Sequence, residues 1–251
     1  MSNNRTHIYF VSDFHLGVPN YQSSLQREKR VVKWLDSVAH NAKAIYLVGD
    51  VFDFWFEYKT VVPKGYTRLL GKLAELSDAG VELHFFHGNH DLWQFGYFEK
   101  ELNAKVYNKP ITIVLGNKTF HIAHGDGLGP KQHWFKFILS IYRNRFFQRL
   151  FAFFHPNIGI GIANYVSAKS KEKTFTENAV YLGDDKEYLM LYAKQFLQQQ
   201  RVDYFIFGHR HLPMTRSIND QATYVNLGDW FGYNTYAVFD GENIALKTFE
   251  E

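Results

Sequence analysis

Apolar positions fall into short runs separated by longer amphipathic stretches, the texture of a mixed α/β protein. His7–Ser12, Ala44–Val48 and Val81–Phe86 are apolar enough to be strands, and Ala44–Val48 reads as a buried strand of a parallel sheet. Between the first two, Val31, Leu35 and Val38 form the apolar stripe of a helix over Ser23–Ala39. Arg27, Lys29, Arg30 and Lys33 lie mostly on its other side. A second helix is expected over Tyr66–Ala79, stopped by Gly80. The opening is therefore β-α-β, with helices expected to cover the sheet and carry no chemistry.

Lys105–Tyr107, Ile111–Leu115 and Lys118–Ala123 follow as strands, the last two joined through Gly116-Asn117. From Gly127 to Gln200 the pattern turns helical. One helix is expected over Lys131–Phe154, with Phe135, Ile138, Leu139, Tyr142, Phe146, Leu150 and Phe153 on one face. Others are expected over Lys169–Lys173 and Asp185–Gln200. Strands resume at Asp203–Phe207, then Met214–Ile218, Thr223–Leu227, Thr235–Asp240 and Ile244–Phe249. Residues 127–200 thus read as a helical insertion, or cap, within a single domain spanning 1–251.

The polar residues just after the strands change this picture from fold to chemistry. Ala44–Val48 runs into Gly49-Asp50, with Asp53 three residues on. Asp13 and His15 follow the first strand; on an extended backbone they face the same side. Gly88-Asn89-His90-Asp91 follows the third strand, His124-Gly125-Asp126 follows Lys118–Ala123, and Gly208-His209-Arg210-His211 follows Asp203–Phe207. Open α/β sheets place ligands at such carboxyl ends.

Composition narrows the chemistry. There are no cysteines and twelve histidines, so a metal would be held by imidazole, carboxylate or amide oxygen. Asp13, His15, Asp50, Asn89, His124, His209 and His211 are too many donors for one tetrahedral ion. They suit two cations sharing a carboxylate. Asp50, central in the strand series, is the expected bridge. Asp13, His15 and His211 would complete one metal, and Asn89, His124 and His209 the other. Mixed imidazole and carboxylate favour Mn, Fe or Zn over Mg. Two such ions activate a water and neutralise oxygens on phosphorus, so the expected reaction is direct attack by metal-bound hydroxide. His90 would protonate the leaving oxygen, and Asp53 would orient that imidazole.

D-x-H, G-D-x-x-D, G-N-H-D, H-G-D and G-H-x-H, in that order, resemble the calcineurin-like metallophosphoesterase superfamily over about residues 7–126 and 203–249. That resemblance implies a four-layer α/β/β/α sandwich and the same ligand assignment. S-D-F-H-L at 12–16, F-D-F-W at 52–55 and A-K-S-K at 168–171 are most similar to its UDP-2,3-diacylglucosamine pyrophosphatase branch of lipid A biosynthesis. The resemblance implies cleavage to UMP and 2,3-diacylglucosamine 1-phosphate, usually with Mn, and a cap receiving the acyl chains. It also implies substrate contacts at Asn89, His90, Ser170 and His209. The chain departs from the better-known branch in having His90 where Arg follows the Asn, and Gln132 at an acidic position.

The insertion bears on partners. From Gly127 through Lys171 there is no Asp or Glu, while Lys and Arg number seven, and aromatics are frequent. That composition fits a helix lying on a membrane surface. No run approaches the ~18 apolar residues of a spanning helix, and MSNNRTHIYF lacks the apolar stretch of a secretory signal. A cytoplasmic protein on the inner-membrane surface is expected, with a lipid-linked UDP-sugar as substrate and no protein partner inferred. Net charge is only +3, so nucleic acid is disfavoured as a substrate. Two rivals remain: a phosphodiesterase for another nucleotide or diester, and a non-catalytic interaction domain on the same fold.

Overall fold

The computed structural model describes residues 5–130, 133–163, 181 and 183–250. Five apolar runs in the first half become β1 (His7–Val11), β2 (Ala42–Leu47), β3 (Glu82–Phe86), β4 (Lys105–Tyr107) and β5 (Ile111–Leu115). They alternate with α1 (Tyr21–Val38), α2 (Thr67–Asp78) and α3 (Tyr97–Leu102) as far as β4. After β6 (Lys118–Ala123) come α4 (His133–Arg143), α5 (Arg145–Ala152), helical residues 156–163 as α6, and α7 (Tyr188–Leu197). The chain ends with β7 (Tyr204–Phe207), β8 (Met214–Asn219), β9 (Ala222–Asn226), β10 (Thr235–Phe239) and β11 (Ile244–Thr248).

Two sheets result, ordered β11-β10-β1-β2-β3-β4 and β5-β6-β7-β9-β8. β1 through β4 are parallel neighbours, as are β6, β7 and β9. Alternation along the strands builds the layers. On β1, Tyr9 and Val11 pack with Trp34 and Leu35 of α1 and Leu69 of α2, while Ile8 and Phe10 face Phe120, Ile122 and Ile206 of the second sheet. On β7, Ile206 joins that central core, whereas Phe205 and Phe207 meet Leu189 and Met190 of α7. The order is helices, sheet, sheet, helix: the four-layer α/β/β/α sandwich.

Three features differ from expectation. Lys131–Phe154 is not one helix: Asn144 is extended (φ −76°, ψ 122°), and its side chain accepts a hydrogen bond from Phe146 N. Asparagine competes with the helical backbone in this way and is favoured at such caps. The short α3 has no strong apolar period in the sequence and forms where Phe98 and Leu102 drop into the core. The helices also do more than cover the sheet. Arg27 of α1, 5% exposed, donates from Nε to Phe14 O (2.6 Å) and from Nη2 to His15 O (2.8 Å) and Val18 O (2.5 Å). It thereby fastens the loop after β1. Its neighbour Glu28 accepts from Arg68 N and Leu69 N, capping α2, which has no side-chain cap of its own. The helix expected over Lys169–Lys173, with Ser170, lies outside the described residues.

Burial gives the fold an acid-sensitive element away from the site. His121 on β6 contacts Thr112 Oγ1 (2.9 Å) and Tyr192 OH (3.1 Å), with its ring against Phe196. Burial pushes it down to about 4. The unfolded chain therefore binds a proton near pH 6.5 that the folded chain refuses, so stability falls as pH drops from 6.5 toward 4. Between pH 6.5 and 5, His121 alone should cost about 2 kcal/mol. A His121→Gln variant should lose that part of the pH dependence; an unaltered slope of urea midpoint against pH between about 6.5 and 5 would contradict this.

Candidate dimetal site

Every strand-end cluster converges on one edge of the sandwich. Carboxyl ends of β1, β2 and β3 in one sheet, and of β6 and β7 in the other, deliver Asp13, His15, Asp50, Asn89, His124, His209 and His211. Ligand atoms of Asp13, His15 and His211 lie within 4.8 Å of one another, as do those of Asp50, His124 and His209. Asp50 Oδ2 stands between the two groups, 3.5 Å from His15 Nε2 and 3.2 Å from His124 Nε2. Asn89 Oδ1 lies 3.3 Å from His124 Nε2.

The backbone achieves this convergence in an unusual way. Asp13 (φ 57°), His15 (φ 42°), Asp50 (φ 52°), His209 (φ 64°) and His211 (φ 51°) are all left-handed. Non-glycine residues rarely adopt that region, and such positions concentrate at functional sites. Asp13 and His15 therefore do not share a side by extended alternation, as expected from sequence. Two glycines permit the close approach. A Cβ at Gly88 would collide with the Asp50 carboxylate, and one at Gly208 would lie 2.5 Å from Asp13 Oδ2.

The imidazoles are held by one repeated device. His15 Nδ1 lies 3.2 Å from Asp53 Oδ1, His124 Nδ1 2.9 Å from Val48 O, and His211 Nδ1 3.3 Å from Asp229 Oδ2. Each partner can only accept, so each Nδ1 carries the proton and Nε2 faces the carboxylates. Ligating imidazoles are typically oriented by such outer contacts. His90 differs: its Nδ1 donates to the Asp53 backbone carbonyl (3.1 Å), while the Asp53 carboxylate is 3.5 Å away and nearer His15. Asp53 thus serves both rings, His90 chiefly through its backbone.

Without a cation these groups satisfy one another electrostatically. Burial opposes charge on Asp13 and Asp50, yet the surrounding imidazoles, His211 for Asp13 and His124 for Asp50, hold both carboxyls below their usual range. Burial likewise opposes a charge on His124, but Asp50 holds it well above the ordinary histidine value. His209 is pushed down to about 3 by burial and by His124. Asp13 Oδ1 is buried and accepts no hydrogen bond among the described residues, although His211 Nε2 is 3.3 Å away. A buried carboxylate oxygen left over among imidazole nitrogens fits an O/N-coordinated divalent cation.

The family profile described as calcineurin-like phosphoesterase matches residues 6–213. The chain belongs to the calcineurin-like phosphoesterase family. It is 42% identical over 259 residues to a UDP-2,3-diacylglucosamine hydrolase of Porphyromonas gingivalis, covering 98% of this chain and 99% of that protein. It is 26% identical over 228 residues to the enzyme of that name from Haemophilus influenzae, covering 89% and 90%. Among solved structures, that of Yfce, a phosphoesterase from E. coli, aligns with a TM-score of 0.46 at 15% identity, covering 96% of this chain and 92% of that one. Membership of this phosphoesterase family and the Asp/His clusters together suggest divalent metal binding.

Several residues around this phosphoesterase site are given no role by the sequence alone. Asp229 follows a strand as Gly228-Asp229, the same local signal as Gly49-Asp50. Asp126 is bound by Arg143 Nη2 of α4 at 3.0 Å, joining the His124 loop to the helices that follow. Asp91, the last letter of G-N-H-D, faces the backbone instead of the metal groups. It accepts from Gly88 N (2.9 Å), Val51 N (2.8 Å), Asp50 N (3.3 Å) and Phe52 N (3.3 Å). Burial and the Asp50 charge push its carboxyl up to about 7 against those donors. Asp91→Ala would orphan these buried N–H groups and should cost about 3 kcal/mol of stability. A urea midpoint equal to wild type would remove this anchoring role.

Proposed function

We propose that the chain hydrolyses the diphosphate of UDP-2,3-diacylglucosamine, releasing UMP and 2,3-diacylglucosamine 1-phosphate in lipid A biosynthesis. The observation that carries this reading is 42% identity along essentially the whole chain to a protein of that named activity. The site geometry agrees with it. Asp13, His15 and His211 form one ligand group, Asn89, His124 and His209 the other, and Asp50 lies between them as the shared carboxylate. Mn is the expected ion, with Fe and Zn as alternatives by donor type. When bound, two such ions lower the pKa of a water and neutralise oxygens on the attacked phosphorus.

The protein's own groups do the rest. Asp53, Val48 O and Asp229 keep Nε2 of three imidazoles toward the carboxylates. His90, held through Nδ1 by Asp53 O, would deliver a proton from Nε2 to the departing oxygen. Asn89, His90, Ser170 and His209 are the proposed substrate contacts, Ser170 lying outside the described residues.

Residues 127–200 act in this reading as a cap for the acyl chains within the single 1–251 domain. Trp134, Phe146 and Phe153 are 73%, 68% and 88% exposed beside Arg145 and Arg149. An aromatic and basic surface of this kind favours peripheral binding to an anionic bilayer, here the cytoplasmic face of the inner membrane. No helix among the described residues is long and apolar enough to cross a membrane.

The test is direct. With Mn, the purified protein should convert UDP-2,3-diacylglucosamine to UMP and the lipid 1-phosphate in equal amounts. Turnover of simple phosphodiesters with the lipid-linked substrate untouched would refute the substrate. An inert protein that takes up no metal would refute the enzyme.

A further inference from the structure

Beside the metal groups, at the ends of β3, β4 and β6, a small recess of about 60 Å³ is lined by His87, His124, Asp126 and Arg143, among others. It opens two ways. Toward α4 it shares Asp126, Leu128 and Arg143 with a cavity of about 410 Å³ that includes Leu139 and Ser140. Toward β4 it shares His87, Tyr107, Asn108 and Lys109 with a groove of about 260 Å³. That groove is near the lower size of small-ligand sites, about 300 Å³.

The two directions differ in chemistry. The first leads to α4 and α5, where exposed Trp134, Phe137 and Phe146 gather. The second is polar: Gln94, Glu99, Asn108 and Lys109 line it with His87 and Tyr107. Gln94 is 6% exposed; its Nε2 donates to Asp91 O at 2.8 Å, while its buried Oε1 accepts no hydrogen bond among the described residues. Buried polar atoms are rarely left so.

A diphosphate centred on the metal groups sends one arm each way, and only the polar arm matches the β4 groove. We propose that the groove along His87, Gln94, Tyr107, Asn108 and Lys109 seats the nucleoside of the substrate. Its 5′-phosphate enters through the recess beside His124 and Arg143. This rests on the nucleotide-sugar reading above. A uracil presents an N–H between two carbonyl oxygens, and the Asn108 amide carries the complementary acceptor and donors. The Lys109 ammonium supplies donors to base or ribose oxygens. Glu99, which also lines the groove, is an acceptor for ribose hydroxyls.

The experiment measures UMP and inorganic phosphate binding to the Mn-loaded full chain by calorimetry, for wild type, Asn108→Ala and Lys109→Ala. Metal content per chain is followed in parallel. Wild type should bind UMP more tightly than inorganic phosphate, and each substitution should narrow that ratio about tenfold, as expected for loss of hydrogen bonds to a bound ligand. An unchanged ratio in both variants, including equal losses for UMP and phosphate, would overturn the groove assignment. If wild type then still releases UMP from the lipid-linked substrate, only the groove falls. If wild type neither cleaves that substrate nor prefers UMP to phosphate, the proposed function falls with it.

Discussion

Asp50→Ala should empty the metal pair and lower hydrolysis by at least about a thousandfold, the several kcal/mol that metal ions supply to such a reaction. Asp50 reaches both groups: Oδ2 lies 3.5 Å from His15 Nε2 and 3.2 Å from His124 Nε2. Its other oxygen accepts from His90 N at 2.9 Å, tying the shared group to the G-N-H-D loop. Removing the carboxylate takes a donor from both ions. Metal analysis should show fewer than two ions per chain with the fold intact by circular dichroism. Full metal stoichiometry in this variant would refute the bridging role, whatever happened to the rate.

His90→Ala should keep its metals and lose about a hundredfold or more in kcat on a diester with an alkoxide leaving group, the usual range for a positioned general acid. The His90 ring stands edge-on to His15, with centroids 4.8 Å apart; it clusters with His15 and Asp53 and lies outside the groups containing Asp50 or Asp13. Its Nδ1 is engaged by Asp53 O, so proton delivery falls to Nε2. The leaving group supplies the discriminating readout. A poor alkoxide leaving group needs the proton and should suffer most, whereas an acidic aryl leaving group should be nearly indifferent. Equal losses for an alkyl and an aryl phosphodiester would make His90 a positioning residue for the Asp50–Asn89 loop instead of a proton donor.

Much of this fold could be read along the chain because its signals are local. β4, β5 and β6 occupy Lys105–Tyr107, Ile111–Leu115 and Lys118–Ala123, as periodicity and the Gly116-Asn117 turn require. The donor clusters announced themselves for the same reason: each is a few polar residues directly after an apolar run. The break at Asn144 was harder to see, because seven apolar residues at helical spacing outweigh one asparagine in any pattern of period 3.6. Arg27 looked like a solvated charge on the polar side of α1. Its burial depends on the loop after β1 folding back over that helix.

The sequence by itself determined the kinds of donor, their order and their place at strand ends, since residue chemistry and strand periodicity need no partner to be legible. Only the tertiary structure decided which nitrogen each imidazole turns inward, that Asp91 serves the backbone, and that a polar groove adjoins the site. Those outcomes rest on contacts such as His124 with Val48 and His211 with Asp229, and on left-handed backbone at Asp13, Asp50 and His209. Distant pairings and strained dihedrals are set by the packing of two sheets against each other, and no stretch of chain read alone contains them.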